Sequence, residues 1–268
     1  MPDPLPPVFL ATAVESVIRA GEIQMAHFGG AMRVDKKGAI DLVTEIDLRV
    51  EREFRALIAD RFPDHVVLGE EFSAVAERDA VPEHCWVFDP VDGTTNYAHG
   101  IPIFAVSIAL EAAGRVQLGV IYDPNHDELF VAERGGGAFV NDRTLAVSSA
   151  PTLDESVLVS GFPYNLRETT DNNVAEFSAF SLRAQGVRRM GSAVLYLAWL
   201  AAGRFDGYWE LRTGPWDVAA GGLLVEEAGG RVTALDGGPL DLDRPAIVAS
   251  NGRIHGEMLK ILAEVRSR

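Results

Sequence analysis

The segment Asp89-Pro90-Val91-Asp92-Gly93-Thr94-Thr95 holds the residues with the clearest chemical use in the chain. An apolar run, Trp86-Val87-Phe88, leads directly into two carboxylates three positions apart, and the proline between them stiffens the turn. Glycine and two hydroxyl residues follow and can open a helix. Hard cations such as Mg²⁺ take anionic oxygen ligands and keep their remaining positions for water or phosphate. Two aspartates at a strand end can grip one ion or bridge two. The amides after Gly93, at a helix N-terminus, suit a phosphate. The plainer reading is a strand-to-helix turn in which Asp92 or Thr94 only caps. A lone Asp-x-x-Asp favours that reading, whereas the whole string does not.

Two further acidic spots share the design. Val66-Val67-Leu68-Gly69-Glu70-Glu71 places a glutamate pair at the end of a strand, and Trp216-Asp217-Val218-Ala219-Ala220-Gly221 places an aspartate just before a helix. Taken alone, Asp217 reads equally well as an N-cap, and Glu70-Glu71 as a solvated turn. Thr44 and Asp47 fit the capping-box pattern, so capping is their default role. Spacing leaves open whether these distant carboxylates meet in space.

Other chemistries lack their markers. No Gly-x-x-x-x-Gly-Lys-Ser/Thr loop, Gly-x-Gly-x-x-Gly fingerprint or Gly-x-Ser-x-Gly elbow is present. The six histidines are scattered without a pair at helical ligand spacing, which argues against zinc. Asp241-Leu242-Asp243 imitates an aspartyl-phosphate motif. Its setting between Gly237-Gly238-Pro239 and Arg244-Pro245 instead predicts a polar turn.

The elements that must position these residues are legible as periodicities. Leu10, Val14, Val17, Gly21, Met25 and Phe28 describe one helix face ended by Gly29-Gly30, followed by an extended stretch turning at Lys37-Gly38. Thr44 opens a second helix with Ile46, Val50, Phe54 and Leu57 inward, ending near Pro63. Strands are predicted at 66–68, 86–88, 104–110, 116–122, 130–132 and 138–140, with 144–147 closing the sheet and Ala112-Ala113-Gly114-Arg115 forming a hairpin turn. Beyond Pro151 the expected order is strand 157–159, helix 174–184, an apolar helix from Gly191 through Leu200, strand 205–209, helix 218–228, strand 247–249 and a final helix. Mixed strands and helices in both halves predict a layered α/β or α+β fold. The best seam lies at Ser148 to Pro151. It separates an N-terminal α+β half (1–147) from a C-terminal α/β half (148–268), the two packed as one catalytic unit.

Bulk composition narrows the function classes. The 268 residues include 24 Lys+Arg against 39 Asp+Glu, a net charge of −15 that repels nucleic-acid backbones. Solubility explains most of that surplus, and part of it is available to converge on a cation. The single cysteine, Cys85, excludes an internal disulfide and borders an apolar run, so a buried inert thiol in a reducing compartment is expected. The start, Met1-Pro2-Asp3-Pro4-Leu5-Pro6-Pro7, lacks the basic region of a signal peptide, and no apolar run is long enough to span a bilayer. A soluble cytoplasmic protein without membrane or direct nucleic-acid contacts is the expectation.

Asp89 to Thr95 together with Trp216 to Gly221 resembles the paired signatures of the inositol monophosphatase family, lithium-sensitive Mg²⁺-dependent phosphatases. Gly69-Glu70-Glu71 and Asp41-Leu42-Val43-Thr44-Glu45-Ile46-Asp47 match its two other landmarks, in family order, and the likeness covers nearly the whole chain after the prolines. A purely structural origin would need four independent coincidences. The resemblance implies a layered αβαβα sandwich of the sugar-phosphatase type, a homodimer, and two or three Mg²⁺ ions. Glu70, Asp89, the Val91 carbonyl oxygen, Asp92 and Asp217 would be the ligands. Glu70 would help hold the nucleophilic water, and Thr94, oriented by Asp47, would activate it. The Gly93 and Thr94 amides would hold phosphate, with Asp92, Ala193, Glu210 and Asp217 meeting the rest of the substrate. Lys36 falls at the family's basic position, with Lys37 beside it as the competing assignment.

The implied substrate is a small phosphate ester, inositol-1-phosphate or a similar polyol phosphate. Histidinol phosphate, fructose-1,6-bisphosphate and 3′-phosphoadenosine phosphate are the alternatives within the superfamily. The Asp-Gly-Thr-Thr-Asn-Tyr run and Glu210 favour the inositol type, since the nucleotide branch usually carries Lys after the first Thr. From a different class, bacterial members of the family also act as regulatory proteins through RNA-polymerase or ribosome partners. The intact acidic set argues for retained catalysis and leaves such a second role open.

Overall fold

Proline opens the first helix, because the first turn needs no amide donor there. This helix, α1 (Pro7–His27), buries Phe9, Ala13, Val17, Ala20 and Gln24 along one face. The computed structural model describes residues 5–31, 33–37, 42–72 and 82–267; Met1 to Pro4, Gly38 and Asp41 lie outside them. Strands β1 (Val34–Lys36) and β2 (Leu42–Thr44) form a small antiparallel ribbon. Thr44 then caps α2 (Glu45–Arg61) through the predicted box: its hydroxyl accepts from the Ile46 and Asp47 amides while Asp47 accepts from its amide. Ile46, Val50, Phe54 and Ile58 make the fully buried face of α2, and Leu57 lies at its margin.

Seven strands follow in one sheet: β3 (Val66–Gly69), β4 (His84–Asp92), β5 (Ala105–Ala112), β6 (Arg115–Asp123), β7 (Glu128–Glu133), β8 (Gly137–Val140) and β9 (Arg143–Thr144), in that spatial order. Only the β3–β4 pair is parallel. Alternation sends Trp86, Phe88, Val106, Ile108 and Leu110 toward α1 and α2, and the smaller Val87, Ala105 and Ala109 toward the opposite face. Helix α3 (Thr94–Ala98) leaves the end of β4.

The second sheet holds β10 (Val157–Ser160), β11 (Gly186–Arg188), β12 (Gly207–Glu210), β13 (Arg231–Thr233) and β14 (Ile247–Ser250), ordered β11-β10-β12-β14-β13. Its helices are α4 (Val174–Ser181), α5 (Ala193–Ala201), α6 (Pro215–Glu227) and α7 (His255–Arg266). Helices α5 and α6 are apolar nearly all round, and Val218 to Val225 are all buried, as a helix between two sheets requires. They fill the space between the sheets, α1 and α2 cover the outer face of the first, and α4 and α7 cover the second, giving the layers αβαβα.

Three local readings change. Strand β9 stops at Thr144, and Val147 donates instead to the Ala228 carbonyl beyond α6. Helix α4 ends at Ser181 because the chain returns as β11 to pair with β10. β13, unseen in the periodicity, pairs with β14. The Asp241-x-Asp243 segment is the polar turn anticipated, with the Asp243 amide on Asp241 Oδ1 at 2.9 Å. Cys85 is buried, and no helix among the described residues is long and apolar enough to cross a membrane.

His255 opens α7 with its ring fully buried between two hydroxyls, Thr233 Oγ1 and Ser250 Oγ, each 2.9 Å away. Thr233 donates its proton to the Ala234 carbonyl, so it must accept from Nε2–H; Nδ1 therefore accepts from Ser250. Protonating Nδ1 would set a second N–H where an acceptor is required. Burial, then the charge of Arg231, pushes the imidazole down to about 4. The unfolded chain thus binds more protons between that value and about 6.5, and stability falls as pH drops through this window. Urea melts should show His255→Gln losing about 2 kcal/mol less than the parent between pH 6.5 and 4. Parallel pH dependences would contradict this.

Candidate metal and phosphate site

Residues three apart on a regular strand face opposite sides, so Asp89 and Asp92 can meet only if β4 is irregular. It is: Asp89 pairs with Ser107 and Asp92 with Ala105, leaving one extra residue on β4 in a bulge around Pro90. Asp89 Oδ1 accepts from the Val91 amide at 3.0 Å, and the Pro90 carbonyl accepts from Gln24 Nε2 on α1 at 2.7 Å. Tyr97 Oη in turn donates to the Gln24 carbonyl at 2.7 Å, tying α3 to the same helix. The turn out of β4 is left-handed at Gly93 (φ +90°), where a Cβ would come within 2.9 Å of the Ile103 carbonyl oxygen. Glycine is therefore required by both dihedral angle and space.

Asp217 joins from the first turn of α6. One of its oxygens, Oδ2, accepts from the Gly214 amide at 2.6 Å, so it caps the helix while turning toward β4. Oxygens of Asp89, Asp92 and Asp217 lie within 4.8 Å of one another. Asp92 is further held by the start of α5: Ser192 Oγ and the Val194 amide donate to Oδ2, and the Ala193 amide donates to Oδ1 at 3.2 Å. Ala193, a substrate contact in the family pattern, here directs its amide at Asp92.

The remaining residues enclose these three. Thr94 Oγ1 lies 3.1 Å from Asp47 Oδ1 and 2.9 Å from the Val91 carbonyl, two acceptors sharing one proton. Asp47 is fully buried and keeps its other oxygen on Thr44. At the end of β3, Glu70 and Glu71 share Lys37, whose Nζ lies 2.8 and 2.5 Å from their carboxylates. Lys37, rather than Lys36, thus reaches the acidic centre; Lys36 sits on the exposed ribbon strand β1. Across the cavity, Glu210 ends β12 and accepts from Tyr208 Oη at 2.8 Å. The cavity measures about 750 Å³ and takes in Glu70, Asp89, Gly93, Thr94, Glu210 and Asp217.

So many buried carboxylates cannot all ionise without a counter-charge. Burial, then the charges of Glu70, Asp92 and Asp217, holds Asp89 well above the usual carboxylate range. Asp217 is raised likewise by burial and by Asp92 and Glu70. Burial raises Glu70 to about 8 against the opposing pull of Lys37, and Glu210 to about 7. Asp92 rises only to about 6, because the Ser192 hydroxyl and the α5 amides favour its anion. A purely oxygen donor set under mutual repulsion fits a hard divalent cation.

Several contributors were invisible in the sequence. Ser192, Gln24 and Glu51 act across 100, 66 and 20 positions, on Asp92, the Pro90 carbonyl and the Glu71 amide. Only Ala193, the residue after Ser192, carried a signal, and it pointed to substrate rather than to Asp92.

Comparison with known proteins places this geometry. The sequence pattern of the inositol monophosphatase family matches residues 7–267. The inositol-1-monophosphatase of Synechocystis sp. is 44% identical over 256 residues, covering 95% of this chain and 88% of the relative. The Nus factor SuhB of Pseudomonas aeruginosa is 41% identical over 228 residues, covering 84% of each. The solved inositol monophosphatase of Anabaena (Nostoc) sp. superimposes with a TM-score of 0.86 at 45% identity, covering 96% of each chain.

Proposed function

The chain belongs to the inositol monophosphatase family, a family of phosphatases, and from that premise we propose that it is a Mg²⁺-dependent phosphomonoesterase acting on inositol-1-phosphate or a closely similar polyol phosphate. The observation that carries this reading is the meeting of Asp89, Asp92 and Asp217 within 4.8 Å, beside a Thr94 hydroxyl bonded to Asp47. Glu70, Asp89, the Val91 carbonyl, Asp92 and Asp217 would hold two or three Mg²⁺ ions. Bound there, Mg²⁺ supplies a water of lowered pKa and counter-charge for the phosphate and the leaving alkoxide.

The protein's own groups supply the rest. Asp47, anchored by Thr44, accepts the Thr94 proton and leaves the Thr94 oxygen free to accept one from the attacking water. The Gly93 and Thr94 amides orient the phosphate. Asp92 and Glu210 face the alcohol, and a carboxylate matched to hydroxyl donors discriminates against analogues lacking them. Glu70 helps to hold the water, with Lys37 limiting the negative charge at that end of the cavity. A lithium-sensitive, cytoplasmic homodimer completes the proposal.

A panel of four substrates in Mg²⁺ tests the alcohol specificity: inositol-1-phosphate, fructose-1,6-bisphosphate, histidinol phosphate and 3′-phosphoadenosine phosphate. Phosphate release should be fastest from the first. A wide margin for 3′-phosphoadenosine phosphate would overturn the assignment. The relative named Nus factor SuhB favours a second role, binding to transcription or ribosome machinery. A cellular phenotype that survives Asp89→Asn while phosphatase activity is lost would support it.

A further inference from the structure

Glu51 is a buried carboxylate that neither caps α2 nor lines the acidic cavity. It lies in the middle of the helix with its side chain fully covered. Arg55, one turn on, reaches Oε1 through both Nε and Nη2 at 2.8 Å, and its Nη1 donates to the Val67 carbonyl of β3 at 3.1 Å. The remaining capacity of Glu51 goes to the backbone beyond β3: Oε2 accepts from the Glu71 amide at 2.8 Å and Oε1 from the Phe72 amide at 3.2 Å. Phe72 is also covered by Arg52 and Arg55, whose guanidinium carbons stand 5.2 and 6.0 Å from its ring centre.

The two amides so held are those immediately after Glu70. On its other side Glu70 is fixed by the ladder, its own amide donating to the Phe88 carbonyl at 3.3 Å. The backbone is thus clamped before and after this one carboxylate. Gly69 completes the clamp, because a Cβ at that position would overlap the Glu51 carboxyl group. Close approach of a side chain, not an unusual dihedral angle, is what calls for glycine here.

We propose that Glu51 is a positioning residue for the acidic centre: through Arg55 and the Glu71 and Phe72 amides, it sets the direction from which Glu70 meets a divalent cation. This rests on the reading of Glu70 as a metal ligand. Groups that orient a ligand without touching the ion commonly shift metal affinity by about 10–100-fold when replaced. Glutamine at position 51 keeps the shape but turns an N–H₂ group toward one of the donors that the carboxylate now receives. Alanine at position 69 keeps every charge and displaces the Glu51 carboxyl group.

The test is Mg²⁺ binding by isothermal titration calorimetry on Glu51→Gln, Gly69→Ala, Glu70→Gln and Ile58→Ala. The last removes a buried side chain from the same helix without touching the turn. Glu51→Gln and Gly69→Ala should each weaken Mg²⁺ binding by about tenfold or more, whereas Ile58→Ala should lower the melting temperature and leave the affinity alone. If Glu51→Gln fails to fold, Gly69→Ala decides. Parental affinity in the variant that decides, or an equal loss in Ile58→Ala, overturns the positioning role. Parental affinity in Glu70→Gln would instead overturn the ligand role of Glu70 on which the inference rests.

Discussion

Asp89→Asn is expected to lower kcat/KM for inositol-1-phosphate by a factor of about 10³ or more, since metal stabilisation of transition-state charge is worth several kcal/mol. Asp89 is buried, with Glu70, Asp92 and Asp217 all acting on it. In the proposed reading it would be one of the Mg²⁺ ligands, beside Asp92 and Asp217, so the substitution would remove an anionic donor from the centre of the set. The same change should leave the metal-free fold at least as stable. An amide of equal shape keeps the contact with the Val91 amide and removes one of several like charges buried together. Loss of activity with an undiminished melting temperature in EDTA is therefore the signature. A drop of several degrees in EDTA would assign Asp89 a structural role instead.

Thr94→Ala is expected to lower kcat by about 10²–10³, the range of a positioned proton acceptor, with KM little changed. The hydroxyl touches only Asp47 and the Val91 carbonyl within the described protein contacts, so its remaining lone pairs are available to water. Asp47 should stay in place in the variant, because the Thr44 amide and hydroxyl still hold its other oxygen. Thr94→Ser restores the hydroxyl and should recover most of the rate. A fall in kcat shared equally by the Ala and Ser variants would point to packing of α3 rather than to proton transfer.

How much of this was legible depended on the range of the interactions. Asp89 and Asp92 stood out because a buried strand ending in two carboxylates and a glycine is a local pattern, even though the bulge that turns both to one side was not visible. The Thr44–Asp47 box was likewise local. Glu70 and Asp217 are ordinary turn and cap residues by spacing, and Asp217 does cap α6; only the family pattern joined them to Asp89. Lys36 and Lys37 differ by one position, and side chains of adjacent residues at a strand end diverge, so composition could not choose between them. β11 and β13 span three residues each, too few for a period to register. The holds of Glu51 on the Glu71 amide and of Gln24 on the Pro90 carbonyl end on backbone atoms, which leave no trace in the sequence of the partner.

The most direct test of the central claim is phosphate release from inositol-1-phosphate by the chelator-treated protein, followed before and after millimolar Mg²⁺ is added. The carboxylate centre predicts no turnover above background in EDTA and full recovery with Mg²⁺. Equal rates with and without the metal would contradict it.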